Sequence, residues 1–412
     1  MSMWMLRASA VAIAAGLMLA GAASAQQAPS QQAPSQQAGA PKPEADLYKV
    51  NPFLDSSARE RLAPPRTPRG AAQADGPAAA PATPEAIQAA AAEMAKPRTE
   101  AGYRTPRLAI GQPDLQGVWS NASNTRLTRP AQFKSLVMTD VEAAKARREH
   151  PQNIRQATDD NQKEADGLLN GRDLAAGRGY NAFWIDPGTN YSLTKGTWRT
   201  SWIVDPPNGQ IPVSEDGRKL LAARRTDRGT GYDNPEERGM AERCIFFGGS
   251  SGPPLMNGLY NNNYRITQSK DAVIIVAEMI HEPRIIKLNA KHGPAELNKY
   301  AGDSIGWWEG DTLVVETINV NPTGGGQASI TPQGKIIERF TRYNDKQVLY
   351  EFEVHDPALY SQVWKGEVGL NAAPNLYEYA CHEGNYGLDG ILQGGRANDR
   401  KGIKNVASSR EE

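Results

Sequence analysis

The sequence predicts a mainly β domain: an antiparallel barrel or barrel-like sheet with short inserted helices and long loops. Three observations predict it. Residues 347–355 (QVLYEFEVH) alternate with period two, Val348, Tyr350, Phe352 and Val354 on one face and Leu349, Glu351, Glu353 and His355 on the other. Runs rich in β-branched residues follow one another through the second half, separated by turn residues. Helix signatures are few.

The chain opens with a charged start (residues 1–7), an apolar run (8–19) too short to span a bilayer comfortably, and Ala23-Ser24-Ala25 before Gln26. This predicts a signal peptide over 1–25 and a mature protein that is periplasmic or secreted. Residues 26–102 form an Ala/Pro/Gln-rich leader in which QQAPS occurs twice. Its composition predicts disorder, because it offers too little apolar surface to offset the entropy of ordering. Two islands interrupt it. VNPFL (50–54) is suited to docking, and Thr83-Pro84-Glu85 before AIQAAAAEMAK predicts a short capped helix. Residues 103–400 read as a single β-rich domain and 401–412 as a disordered tail.

Within the domain, Thr139 and Glu142 form a capping-box pattern for a helix, Ser214 caps a second through 220–225, and 235–243 reads as a helical turn. Strands are predicted at 272–280, 285–288, 313–317, 335–343, 347–355, 361–368 and 376–381. Trp308-Glu309-Gly310-Asp311-Thr312 and Asn344-Asp345-Lys346 are turns between neighbouring strands.

Lys plus Arg and Asp plus Glu each number 46, giving zero net charge. That argues against nucleic acid as a partner. No apolar run after residue 25 is long enough for a membrane helix. The two cysteines, Cys244 and Cys381, predict one disulfide in an oxidising compartment, the alternative being two buried thiols.

Candidate chemistry centres on His281 and His382, with Glu278 and Glu383 beside them. A carboxylate-tuned histidine is a general base, and N/O ligands also suit a cation. The spacing is not a metal motif, so no metal or other cofactor is assigned. On the predicted last strand Glu378 and His382 would share a face. His150 and His292 read as solvated. A second candidate is the aromatic and polar run 178–188. There Tyr180 and Trp184 offer flat surfaces for a ligand, and Arg178, Asn181 and Asp186 offer polar contacts. No phosphate-loop or serine-hydrolase pattern is present.

Several stretches together resemble a group of exported bacterial proteins: Pro113–Trp119 (PDLQGVW), Arg178–Trp184 (RGYNAFW), Glu278–His281 (EMIH), Trp308–Val315 (WEGDTLVV) and Tyr377–Asn385 (YEYACHEGN). The resemblance brings no reaction and no catalytic residue with it. Asp114–Trp119 is also similar to the G-x-W opening of lipocalin-like (calycin) barrels. That resemblance implies that Gly117 permits a bend and that Trp119 plugs the barrel floor. The functional expectation is an exported barrel-type protein holding a small, partly apolar molecule in an aromatic-lined pocket, with acid–base chemistry as an added possibility. The alternatives are a metal-dependent periplasmic hydrolase or lyase acting on a saccharide or aromatic compound, and a structural or envelope-interaction protein.

Overall fold

The computed structural model describes residues 81–154, 187–227, 232, 234–294, 296–297, 299–321, 328–383 and 385–403. The ligand candidates Arg178, Tyr180, Asn181, Trp184 and Asp186 lie outside them. In chain order the elements are α1 (Pro84–Ala95), β1 (Gly117–Ser120), β2 (Val137–Met138), α2 (Asp140–Glu149), β3 (Leu193–Thr194), β4 (Thr197–Arg199), β5 (Ile203–Asp205) and α3 (Glu215–Asp227). A 3₁₀ turn, Pro235–Glu237, precedes β6 (Asn263–Gln268), β7 (Ala272–Ala277), β8 (Pro283–Leu288), β9 (Asp303–Glu309) and β10 (Thr312–Ile318). Then come β11 (Lys335–Asn344), β12 (Gln347–His355), β13 (Trp364–Ala372) and α4 (Gly387–Arg400).

Strands β6 to β13 pair in sequence order, and β1 pairs with both β6 and β13. The sheet therefore closes on itself as a barrel, which leaves no long unpaired edge. Strand β5 shares the free edge of β13. Every pairing is antiparallel except β8–β9, which is parallel. The barrel is thus mixed where a purely antiparallel one was expected. The reason is the connection: residues 289–302 carry the chain from the end of β8 back to the start of β9, a crossover rather than a hairpin.

The predicted inward face of β12 holds: Val348, Tyr350, Phe352 and Val354 are fully buried. Facing residues on β11 and β13 continue the core, with Ile336, Phe340, Trp364, Val368 and Leu370. Phe340, Tyr350, Phe352 and Trp364 form a chain of aromatic contacts with centroids 4.9, 5.7 and 5.7 Å apart. Aromatic rings suit this layer because they combine large buried area with orientation-dependent attraction. Gly366 faces Phe352 across the β12–β13 pair, and a side chain there would collide with the ring.

Three tight turns, 268–272, 309–312 and 344–347, lie at one end of the barrel, the hairpin end. Trp119 is buried beside β6, its Nε1 donating to the Leu115 carbonyl at 2.9 Å. The Arg342 guanidinium lies 5.2 Å from the centre of its ring. Gly117 has φ +140°, and a Cβ there would press on the Trp119 ring at 3.4 Å.

The predicted caps are present. Thr139 and Glu142 make both bonds of a capping box at α2. Ser214 Oγ accepts from Gly217 N at 2.9 Å at the start of α3. Thr83 caps α1, with Pro84 and Glu85 in its first turn.

Residues 81–102, grouped with the leader in the sequence reading, carry α1 and its attachment to the barrel. Ala90 packs on Leu136 and Val204. The Glu93 carboxylate meets Arg199 Nη2 at 2.9 Å and Thr197 Oγ1 at 2.9 Å. Arg199 and Lys195 both bind Glu367 of β13, at 2.7 and 2.8 Å. Two buried cations are thereby matched by two buried carboxylates, as burial of charge requires.

Candidate functional site

The barrel interior is filled, and it is polar at one level. Glu338 alternates with Ile336 and Phe340 on the inward face of β11 and is fully buried. Arg284, from the corresponding face of β8, forms a bidentate pair with it, Nη1 donating to Oε1 at 3.0 Å and Nη2 to Oε2. Arg284 also donates to Ser304 Oγ (3.1 Å) and Thr317 Oγ1 (3.0 Å). The Tyr350 hydroxyl donates to Glu338 Oε1 at 2.7 Å and accepts from Leu255 N at 2.9 Å. Burial and the adjacent Glu338 charge hold the Tyr350 phenol well above its ordinary range. The group is buried, salt-bridged and hydrogen-bonded within itself, as a structural core group is.

Sequence reasoning missed this pair. The signal was available: Arg284 and Glu338 each occupy a position that the alternation of its own strand turns inward. Residues far apart in sequence meet here, so no local pattern joins them.

The end of the barrel opposite the hairpins is capped by residues 244–262. The cap is tied down by Leu255 N on Tyr350, by Asn121 Nδ2 on the Leu255 carbonyl (3.2 Å) and by Tyr264 Oη on the Met256 carbonyl (3.2 Å). The predicted disulfide, Cys244–Cys381, fastens the cap to the C-terminal segment. Phe246 stacks on Tyr300 with centroids 5.8 Å apart. A cavity of about 20 Å³ lies beside them, bordered by Val320, Asn321, Ser329 and Ile330, room for about one water molecule.

The acid–base candidates gather at this capped end without forming one constellation. Strand β7 ends at Ala277, short of the predicted 280, because Ile280 and His281 adopt φ +63° and +46° and turn the chain. Glu278 is buried: its Oε2 accepts from Asn263 Nδ2 at 2.6 Å and its Oε1 from Tyr377 N at 3.1 Å. It pins the C-terminal segment rather than facing solvent. His281, His382 and Glu383 are exposed.

Residues 376–381 are not a strand. Tyr377 N bonds a side-chain carboxylate instead of a ladder carbonyl, and β13 runs over 364–372 rather than 361–368. Glu378 and His382 therefore share no strand face. Among the described residues no cluster of three or more His, Cys, Asp or Glu could hold a metal ion.

His292, read as solvated, is instead clamped. Its Nδ1 lies 3.0 Å from Asp303 Oδ2 and its Nε2 3.3 Å from Glu316 Oε1, with Lys287 and Lys335 on the outer side of the two carboxylates. Backbone and side-chain donors from Gly293, Lys287 and His292 outweigh burial and hold the Asp303 carboxyl down at about 2. His150 also has company, its ring lying edge-on to Tyr191 at 6.1 Å.

Among the described residues no helix is long and apolar enough to cross a membrane. Comparison with protein-family models, with curated proteins and with solved structures yields no match, so the barrel and its capped end are the features from which function is argued.

Proposed function

We propose that this is an exported, disulfide-stapled β-barrel protein that binds a small, partly apolar molecule at the capped end rather than inside the barrel. One observation carries the reading: the interior is closed by Arg284, Glu338 and a layer of aromatic rings, whereas tyrosines and phenylalanine gather at the cap around Phe246, Tyr260, Tyr300 and Tyr379. Loops held by a rigid barrel are where binding groups concentrate. Export is supported by the signal-like first 25 residues and by the disulfide. The motifs that resemble a group of exported bacterial proteins agree with export.

The test is a small-molecule screen on the oxidised mature protein, with hits mapped by NMR. Hits that perturb Phe246, Tyr300 or Tyr379 support the proposal. Hits that perturb the Phe340–Phe352 layer, or the hairpin-end turns alone, overturn it. A metal-dependent hydrolase or lyase finds no supporting cluster among the described residues. Elemental analysis of protein prepared without chelator would revive it by finding stoichiometric metal.

A further inference from the structure

We propose that Tyr260, Tyr377 and Tyr379 form a stacking platform for a neutral saccharide. The proposal rests on the reading that the capped end is the binding end, and deepens it by naming the surface and the ligand class.

Tyr377 is 66% exposed and lies on an irregular stretch after β13, where a ring free to move would fold onto the nearest apolar surface. Instead it is held from both sides. Its backbone N–H is fixed by the buried Glu278 carboxylate, which is itself fixed by Asn263. Its phenol oxygen accepts from Asn375 Nδ2 at 3.3 Å. Four residues later Cys381 is bonded to Cys244. Between these anchors Tyr379 stacks on Tyr260, with centroids 6.5 Å apart and planes 24° from parallel. Burial and the neighbouring Tyr260 raise the Tyr379 phenol above its ordinary range, which keeps that ring uncharged. Aromatic rings fixed in place at the surface lose little entropy when a flat ligand lies on them.

The chemistry around them selects the ligand. Residues 371–383 contain no lysine or arginine and carry the exposed carboxylates of Glu378 and Glu383, so this segment disfavours an anionic ligand. Phenol hydroxyls, the Asn375 amide and the exposed Glu378 and Glu383 carboxylates supply donors and acceptors at the rim of the rings. A pyranose matches this arrangement, with an apolar C–H face for a tyrosine ring and a hydroxyl edge for the polar groups.

The experiment titrates the mature, oxidised protein with maltohexaose, cellohexaose and chitotetraose by calorimetry and NMR, with tetramethylammonium chloride as a fourth probe. Binding of at least one oligosaccharide is expected. Tyr377→Ala should weaken it about tenfold or more with an unchanged unfolding midpoint, and Tyr377→Phe should weaken it less. Should the alanine variant unfold, resonance shifts of Tyr377 and Tyr379 in the wild-type protein decide the question. No oligosaccharide binding at about 10 mM, or binding only of the tetramethylammonium cation, overturns the proposal. Saccharide binding that maps to Phe246 and Tyr300 overturns the platform and leaves the capped-end reading standing. Binding that maps to the hairpin end removes both.

Discussion

Removing Arg284 alone tests whether the barrel interior is organised as the geometry indicates. Arg284→Met keeps most of the side-chain volume and deletes the guanidinium. Glu338 then remains fully buried, with only the Tyr350 hydroxyl donating to it. Breaking a buried ion pair from one side typically costs about 3–5 kcal/mol, because it leaves a charge without compensation. Glu338→Leu alone strands Arg284 and should cost a similar amount. The double variant removes both members of this pair and so strands neither charge. Ser304 and Thr317 still bond each other at 2.8 Å, and Tyr350 still accepts from Leu255 N. Its remaining deficit is a lost donor interaction of Tyr350, about 1–3 kcal/mol. The double variant should therefore be more stable than either single one, well short of the roughly 6–10 kcal/mol that adding the two single effects gives. Urea unfolding followed by tryptophan fluorescence, with the disulfide intact, reads all four proteins of the cycle. A single Arg284→Met cost under about 1 kcal/mol, or strict additivity, would refute the reasoning.

Three further outcomes are expected. Joint replacement of Cys244 and Cys381 by alanine opens a loop closed over a separation of 137 residues, which the chain-entropy model values at about 5 kcal/mol; an unfolding midpoint that does not move in the variant would count against it. Asp303 has a folded pKa of about 2, below its ordinary 3.8, so it contributes stability above the unfolded value that is lost as pH falls through that window; acid unfolding of Asp303→Asn should depend less steeply on pH between about 4 and 2, and parallel curves would contradict this. Glu93→Ala leaves Arg199 and Lys195 sharing Glu367 alone, and a loss of about 2–3 kcal/mol is expected, with faster amide exchange across α1; unchanged exchange would show that α1 is not held by this carboxylate.

The sequence by itself determined whatever depends on neighbours along the chain. The alternation of 347–355 set which face of β12 is buried. Thr83, Thr139 and Ser214 marked helix starts because a cap satisfies backbone donors only three residues away. With only two cysteines in the chain, one intramolecular pairing was available, and the structure forms it. Tertiary structure alone decided what depends on residues far apart in sequence. Barrel closure through β1 and β13 and the parallel β8–β9 pair rest on register between distant strands, to which local pattern is blind. The irregular path of 376–381 is fixed by a carboxylate 99 residues away, which outcompetes the β propensity of its tyrosines. Arg284 and Glu338, 54 positions apart, look like ordinary charged strand residues until the barrel turns both inward. A buried charge is tolerated only where the fold delivers its partner, and that delivery is a property of the closed sheet.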